Sequence, residues 1–131
     1  MKHLAWITCT AIMGLSSVTA QANTKWEPVT LNELGLFYID PKSITEEEGR
    51  KKVWSLLDYK KVQHTAEDKA YRSVQSQVQV NCKMKMARVM HVTYHSGPML
   101  TGQVVLKQGM LHEWLEIDPA SPIHKIAYRI C

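Results

Sequence analysis

Thiols, thioethers and imidazoles are the reactive groups of this 131-residue chain, which carries three cysteines, seven methionines and six histidines. Cys9 falls in an N-terminal apolar stretch, which leaves Cys82 and Cys131 downstream. An even pair in an oxidising compartment reads as a disulfide, and two cysteines allow only one connectivity within a chain. The bridge closes a loop of about 50 residues, worth about 4 kcal/mol in the chain-entropy model. Both thiols are then used, and no G-x-S-x-G elbow or other nucleophile–base pairing occurs. The expectation is a protein that is not an enzyme and needs no cofactor.

Met84, Met86 and Met90 lie close to His91 in sequence. Thioethers with imidazole select copper(I) in oxidising envelopes, so one function class is a periplasmic copper-handling protein. The plainer reading packs Met84 and Met86 in a gap beneath a helix, with no metal bound. His91 and His95 are expected on one strand face about 13 Å apart, too far to share an ion. His64, His112 and His124 are isolated. The acidic run in "TEEEGRK" (45–51) lacks calcium-loop spacing and reads as a solvated hairpin tip.

These groups must be carried mostly by strands. "WEPVT" (26–30) and "LFYID" (36–40) are short β segments, the second ended by Asp40-Pro41. "KKVWSLLDYKKV" (51–62) is a longer strand, with Val53, Leu57 and Tyr59 on one face and Trp54, Leu56 and Val62 on the other. A strand apolar on both sides needs cover on both sides. "QHTAEDKA" (63–70) is a loop. "YRSVQSQVQVNC" (71–82) alternates cleanly, which puts Val74, Val78, Val80 and Cys82 on the buried face and Ser73, Gln75, Gln77 and Gln79 on the other. "KMKMA" (83–87) turns the chain, without a Gly or Asn of its own. "RVMHVTYH" (88–95), "GQVVLKQG" (102–109) and "LHEWLEI" (111–117) are further strands, the first two joined by "SGPMLT".

After Pro119 the period changes from two to 3.6. Ser121 is an N-cap with Pro122 at the first helical position. Ile123, Ile126, Ala127 and Ile130 form an apolar stripe, and Cys131 lies at its edge. A helix of about ten residues is marginal alone, so a Cys82–Cys131 bridge pins it across the sheet. The expected fold is α+β: a single antiparallel β-sheet of about six strands with a C-terminal α-helix disulfide-tethered across one face.

The N-terminus has the anatomy of a secretory signal peptide: Lys2, an apolar core from Leu4 to Leu15, and an A-x-A site at Ala20-Gln21-Ala22. Its apolar stretch is short for a membrane span, and Cys9 is not at a lipid-acceptor position. Cleavage after 1–22 leaves one domain, residues 23–131. Loss of Lys2 lowers Lys+Arg from 16 to 15 against 12 acids, a net charge of +3. The surplus is spread out rather than striped, which argues against nucleic acid as a partner. The expected location is periplasmic or secreted, with no integral membrane span after cleavage.

The quoted segments "FYID" (37–40), "VWSLLDY" (53–59), "YRS" (71–73) and "VNC" (80–82), followed by Trp114, Pro119, Ser121 and Cys131, resemble the surface-adhesin protein E family of Gram-negative bacteria. The resemblance spans nearly the whole mature chain. It implies an antiparallel sheet with a disulfide-tethered C-terminal helix, dimerisation, and binding of host matrix and plasma proteins such as vitronectin, laminin and plasminogen. A protein-binding module, meeting a host protein or a periplasmic partner, is the second function class. The apolar side chains of Trp54, Leu56 and Val62, on the face a helix does not cover, are the candidate contact patch and the expected homodimer surface.

Overall fold

The computed structural model of the chain describes Gly14, residues 25–109 and residues 113–131. The rest of the expected leader lies outside the described residues, as does His112. Eight strands and one helix follow in order: β1 (Glu27–Leu31), β2 (Gly35–Ile39), β3 (Thr45–Glu47), β4 (Arg50–His64), β5 (Ala70–Asn81), β6 (Met86–His95), β7 (Val104–Gln108), β8 (Leu115–Glu116) and α1 (Pro122–Ile130). They form one antiparallel sheet ordered β1-β2-β4-β5-β6-β7. Two short strands lie off this path: β3 pairs with β4, and β8, inside the expected strand 111–117, pairs with β6.

Local chemistry accounts for the turns. Glu48 and Gly49, with φ of 52° and 75°, join β3 to β4, and two positive φ values are what a two-residue hairpin turn requires. "TEEEGRK" is therefore a hairpin tip, as its sequence predicts. In the β5–β6 turn, the Asn81 side chain accepts a 3.0 Å bond from the Met84 amide. Lys85 takes the left-handed conformation, φ 54°, so the missing glycine is replaced by an asparagine one position before the turn.

The β4–β5 register pairs Val53 with Val78 and Leu57 with Val74, so these apolar residues share one face. The core lies at one end of that face. Ile39, Val53, Val78, Val80 and Ala87 from the sheet pack with Ile126, Ala127 and Ile130 of α1. The helix is nine residues long, about 14 Å, and is held in four ways. Ser121 caps its first turn by accepting from the His124 amide at 3.3 Å. Lys51 donates to the Ile130 carbonyl at its C-terminal end, at 2.8 Å. Arg129 pairs with Glu27 on β1. Cys82 is bonded to Cys131, with Cα atoms 5.8 Å apart. Lys51 thus closes the helix end.

Register shifts interrupt four of the strand pairs, and those on β4 and β6 beside β5 bear on the surfaces. Between Asp58 and Gln63 of β4 there are five steps against two on β5, since Asp58 faces Ser73 and Gln63 faces Tyr71. Three extra residues bow outward there, and the Arg72 guanidinium bonds the Tyr59 carbonyl at 3.1 Å. On β6 one extra residue lies between Met90, opposite Gln77, and Thr93, opposite Gln75. His91 in that bulge has φ 48°.

Candidate functional site

The reactive groups singled out from sequence do not assemble into a reaction centre. Met84 is 63% exposed at the β5–β6 turn, while Met90 is 5% exposed within the sheet. Met86 and Met90 are four residues apart on β6, about 13 Å by strand rise. The Met84/Met86/Met90/His91 group therefore does not converge on a copper ion. The expected packing of Met84 and Met86 beneath the helix also fails. Met84 is in solvent, and Met86 pairs with Asn81 one step out of phase with the Val80–Ala87 pair that faces α1. Among the described residues no group of three His, Cys, Asp or Glu side chains is placed to hold a metal.

The register does bring together one constellation that the linear sequence hides. Asp58, Ser73 and His95 lie in one row across β4, β5 and β6. These are the residue types of a hydrolytic triad in the wrong order, with serine between the other two. Ser73 is 0% exposed; its hydroxyl donates to the Gly97 carbonyl at 2.6 Å and accepts from the Leu100 amide at 2.8 Å. Asp58 accepts from the Met99 amide at 2.8 Å. The row is a clasp for the 96–101 loop, and the hydroxyl points at backbone instead of a base. The Nδ1 atom of His95 is buried with no partner among the described residues, and burial pushes its pKa down.

That loop also changes the proposed contact patch. It folds over the face carrying Asp58 and Ser73, where residues Met99 and Leu100 both have positive φ. Leu56, two positions from Asp58, is 1% exposed. Trp54 is half-buried and Val62 is 50% exposed but lies in the β4 bulge. Three residues assigned to one face by parity are thus a covered residue, a half-open one and one displaced by three inserted positions.

The open apolar surface is on the opposite face, beyond the reach of α1. Register pairs run Phe37–Leu57–Val74–Tyr94–Leu106 through β2, β4, β5, β6 and β7. All five are half-buried and none belongs to the core beneath the helix. Tyr71 extends the row, with its ring edge-on to Tyr59 at 5.6 Å and to Tyr94 at 4.9 Å. Burial first, then its tyrosine neighbours, push the Tyr59 hydroxyl up to about 12, so this phenol is neutral at physiological pH. Sequence periodicity placed Leu57, Tyr59 and Val74 on the helix side; only the cross-strand register shows that they form a row the helix misses.

The described residues thus form one antiparallel sheet with a single stapled helix and a half-buried apolar row beside it. The profile of the family described as Surface-adhesin protein E matches residues 26–131. The chain belongs to that family. Its fold is that of Haemophilus influenzae protein E. One crystal form of that protein aligns at 17% identity with a TM-score of 0.66, covering 86% of this chain and 91% of the other. A second structure aligns at 18% and 0.62, covering 86% and 88%. The protein from non-typeable Haemophilus influenzae aligns at 16% and 0.57, covering 84% and 77%. No curated protein sequence matches significantly. No helix among the described residues is long and apolar enough to cross a membrane.

Proposed function

We propose that this chain is an exported, non-enzymatic protein-binding module of the bacterial envelope, and that the row Phe37–Leu57–Val74–Tyr94–Leu106 is its partner-facing surface. The observation that carries the reading is the row itself. Five apolar side chains from five strands lie side by side, and a helix of about 14 Å spans only the other end of the face. Apolar area rimmed by polar residues marks protein contact surfaces, and aromatic residues are enriched in their centres. Family membership supports the same reading. Removal of residues 1–22 during export brings the domain to the periplasm or cell exterior, where the partner is a periplasmic protein, a host matrix or plasma protein, or a second copy joined face to face.

The test uses the oxidised domain 23–131 as bait in envelope extract and in host plasma, beside Leu57→Lys. A half-buried lysine at the centre of the row retains its fold by directing its ammonium to water, and circular dichroism checks this. We expect the wild type to capture a defined partner, or to scatter light as a dimer, and Leu57→Lys to lose both. Equal capture and equal mass for the two proteins would dismiss the row as the contact surface.

A further inference from the structure

The other face of the sheet carries an open basin of about 390 Å3 whose lining includes Trp54, Gln75, Gln77, His91, Thr93 and Lys107, together with Val92, Gln108 and Gly109. We infer that this basin is a binding site for an acidic saccharide, independent of the apolar row behind it. Its volume falls in the range of small-ligand sites, and its lining sets an aromatic wall beside several polar side chains.

The indole of Trp54 supplies one flat apolar wall, which suits the C–H face of a pyranose ring. Around it stand groups that match hydroxyls. A glutamine amide both donates and accepts, a threonine hydroxyl does the same, and a sugar hydroxyl demands both. Gln75 and Gln77 are two positions apart on β5, about 7 Å, and face Thr93 and Met90 on β6. No hydrogen bond among the described residues occupies the side chains of Gln75, Gln77, Thr93 or Lys107, and none of them is buried and unsatisfied. These groups are hydrated and available.

Charge selects the acidic class. The lining includes Lys107 and His91 but no carboxylate, although the chain holds 12 acids. A uronic acid carboxylate or a sulfate ester would meet the lysine, while the ring stacks on the indole.

The backbone gives a separate indication. His91 is the extra residue of the β6 bulge and adopts φ 48°, a conformation that costs a non-glycine residue free energy. The insertion lets Met90 oppose Gln77 while the His91 ring still reaches the same face, where it lies 6.4 Å from Trp54 and tilted by 42°. Bulges of this type re-aim a side chain. Here the strained residue holds the edge of the indole, and its imidazole is exposed at the rim.

The experiment is an NMR titration of the oxidised domain 23–131 with a heparin-derived tetrasaccharide, at about 0.15 M salt to screen loose attraction. Its desulfated form and neutral maltotetraose run alongside. We expect saturable shifts of the Trp54 indole N–H and the Gln75 and Gln77 side-chain amides. The acidic forms should bind more tightly than maltotetraose, which shifts the same resonances. Trp54→Ala should weaken binding about tenfold and Trp54→Phe should restore most of it. Should Trp54→Ala fail to fold, Gln77→Ala with Lys107→Ala, both free of internal bonds, serves in its place. Unperturbed Trp54, shifts centred elsewhere on the basic surface, or affinity unchanged in these variants would overturn the site.

Discussion

Ser73 shows how a buried polar residue can define a surface. Its hydroxyl has one donor and accepts as well, and both capacities are spent on the backbone of the 96–101 loop. Replacing it with alanine would leave the Gly97 carbonyl and the Leu100 amide short of partners, a cost of about 1–3 kcal/mol. We expect Ser73→Ala to melt several degrees lower and to admit faster amide exchange at Met99 and Leu100. Its neighbour His95 responds to pH. Burial lowers its pKa in the folded state, so the unfolded chain takes up a proton first, near the ordinary value of about 6.5. The stability of the neutral form is intact above that pH and is lost as pH falls from there through the folded pKa. Melting temperatures from pH 8 down to 5 should therefore decline, and His95→Asn should decline less. An identical pH profile for the variant would remove His95 as the cause.

At the scale of elements, α1 is the piece most dependent on its attachments. Nine residues do not sustain a helix in water, and its buried stripe of Ile126, Ala127 and Ile130 gains only where it meets the sheet. Cys131→Ser removes the loop closure, worth about 4 kcal/mol, and leaves the Lys51 bond and the Arg129–Glu27 pair to hold the helix. We expect a large drop in melting temperature under oxidising conditions and none once the wild type is reduced. A thiol-reactive dye should find no free thiol in the exported native protein.

The helix and its staple were legible in the sequence because two signals agreed. An i, i+3, i+4, i+7 stripe follows Ser121-Pro122, and strict alternation along β5 put Cys82 on the inner face. Alternation failed on β4 and β6 for one physical reason. Parity assumes an unbroken ladder, while insertions at Tyr59–Val62 and at His91 shift every later side chain. Neither stretch holds a glycine to betray the insertion; His91 is a non-glycine residue in a left-handed conformation. Val62 left the patch with Trp54 and Leu56 in this way, whereas Leu56 is simply buried. The open row and the Asp58–Ser73–His95 clasp were hidden for another reason: they exist only through pairing between strands distant in sequence.

For the whole molecule, the sheet separates two surfaces by one thickness of backbone. The row around Leu57 lies on one side and the Trp54 basin on the other, and Leu57 and Trp54 are three residues apart on the same strand. Mutations on the two faces should add, because their side chains share no neighbours. Leu57→Lys is expected to abolish partner capture with saccharide titration unchanged, and Lys107→Ala to do the reverse. Loss of both functions in either variant would indicate a damaged sheet rather than a lost surface.

The order of the bridge along the chain has a bearing on manufacture. Cys82 follows β5, and its partner comes 49 residues later, after β6, β7, β8 and the helix. The bridge can therefore close only in a chain that already holds all eight described strands and the helix. Covalent locking thus reports on the presence of both parts that it joins. A copy truncated between the two cysteines keeps Cys82 without its partner.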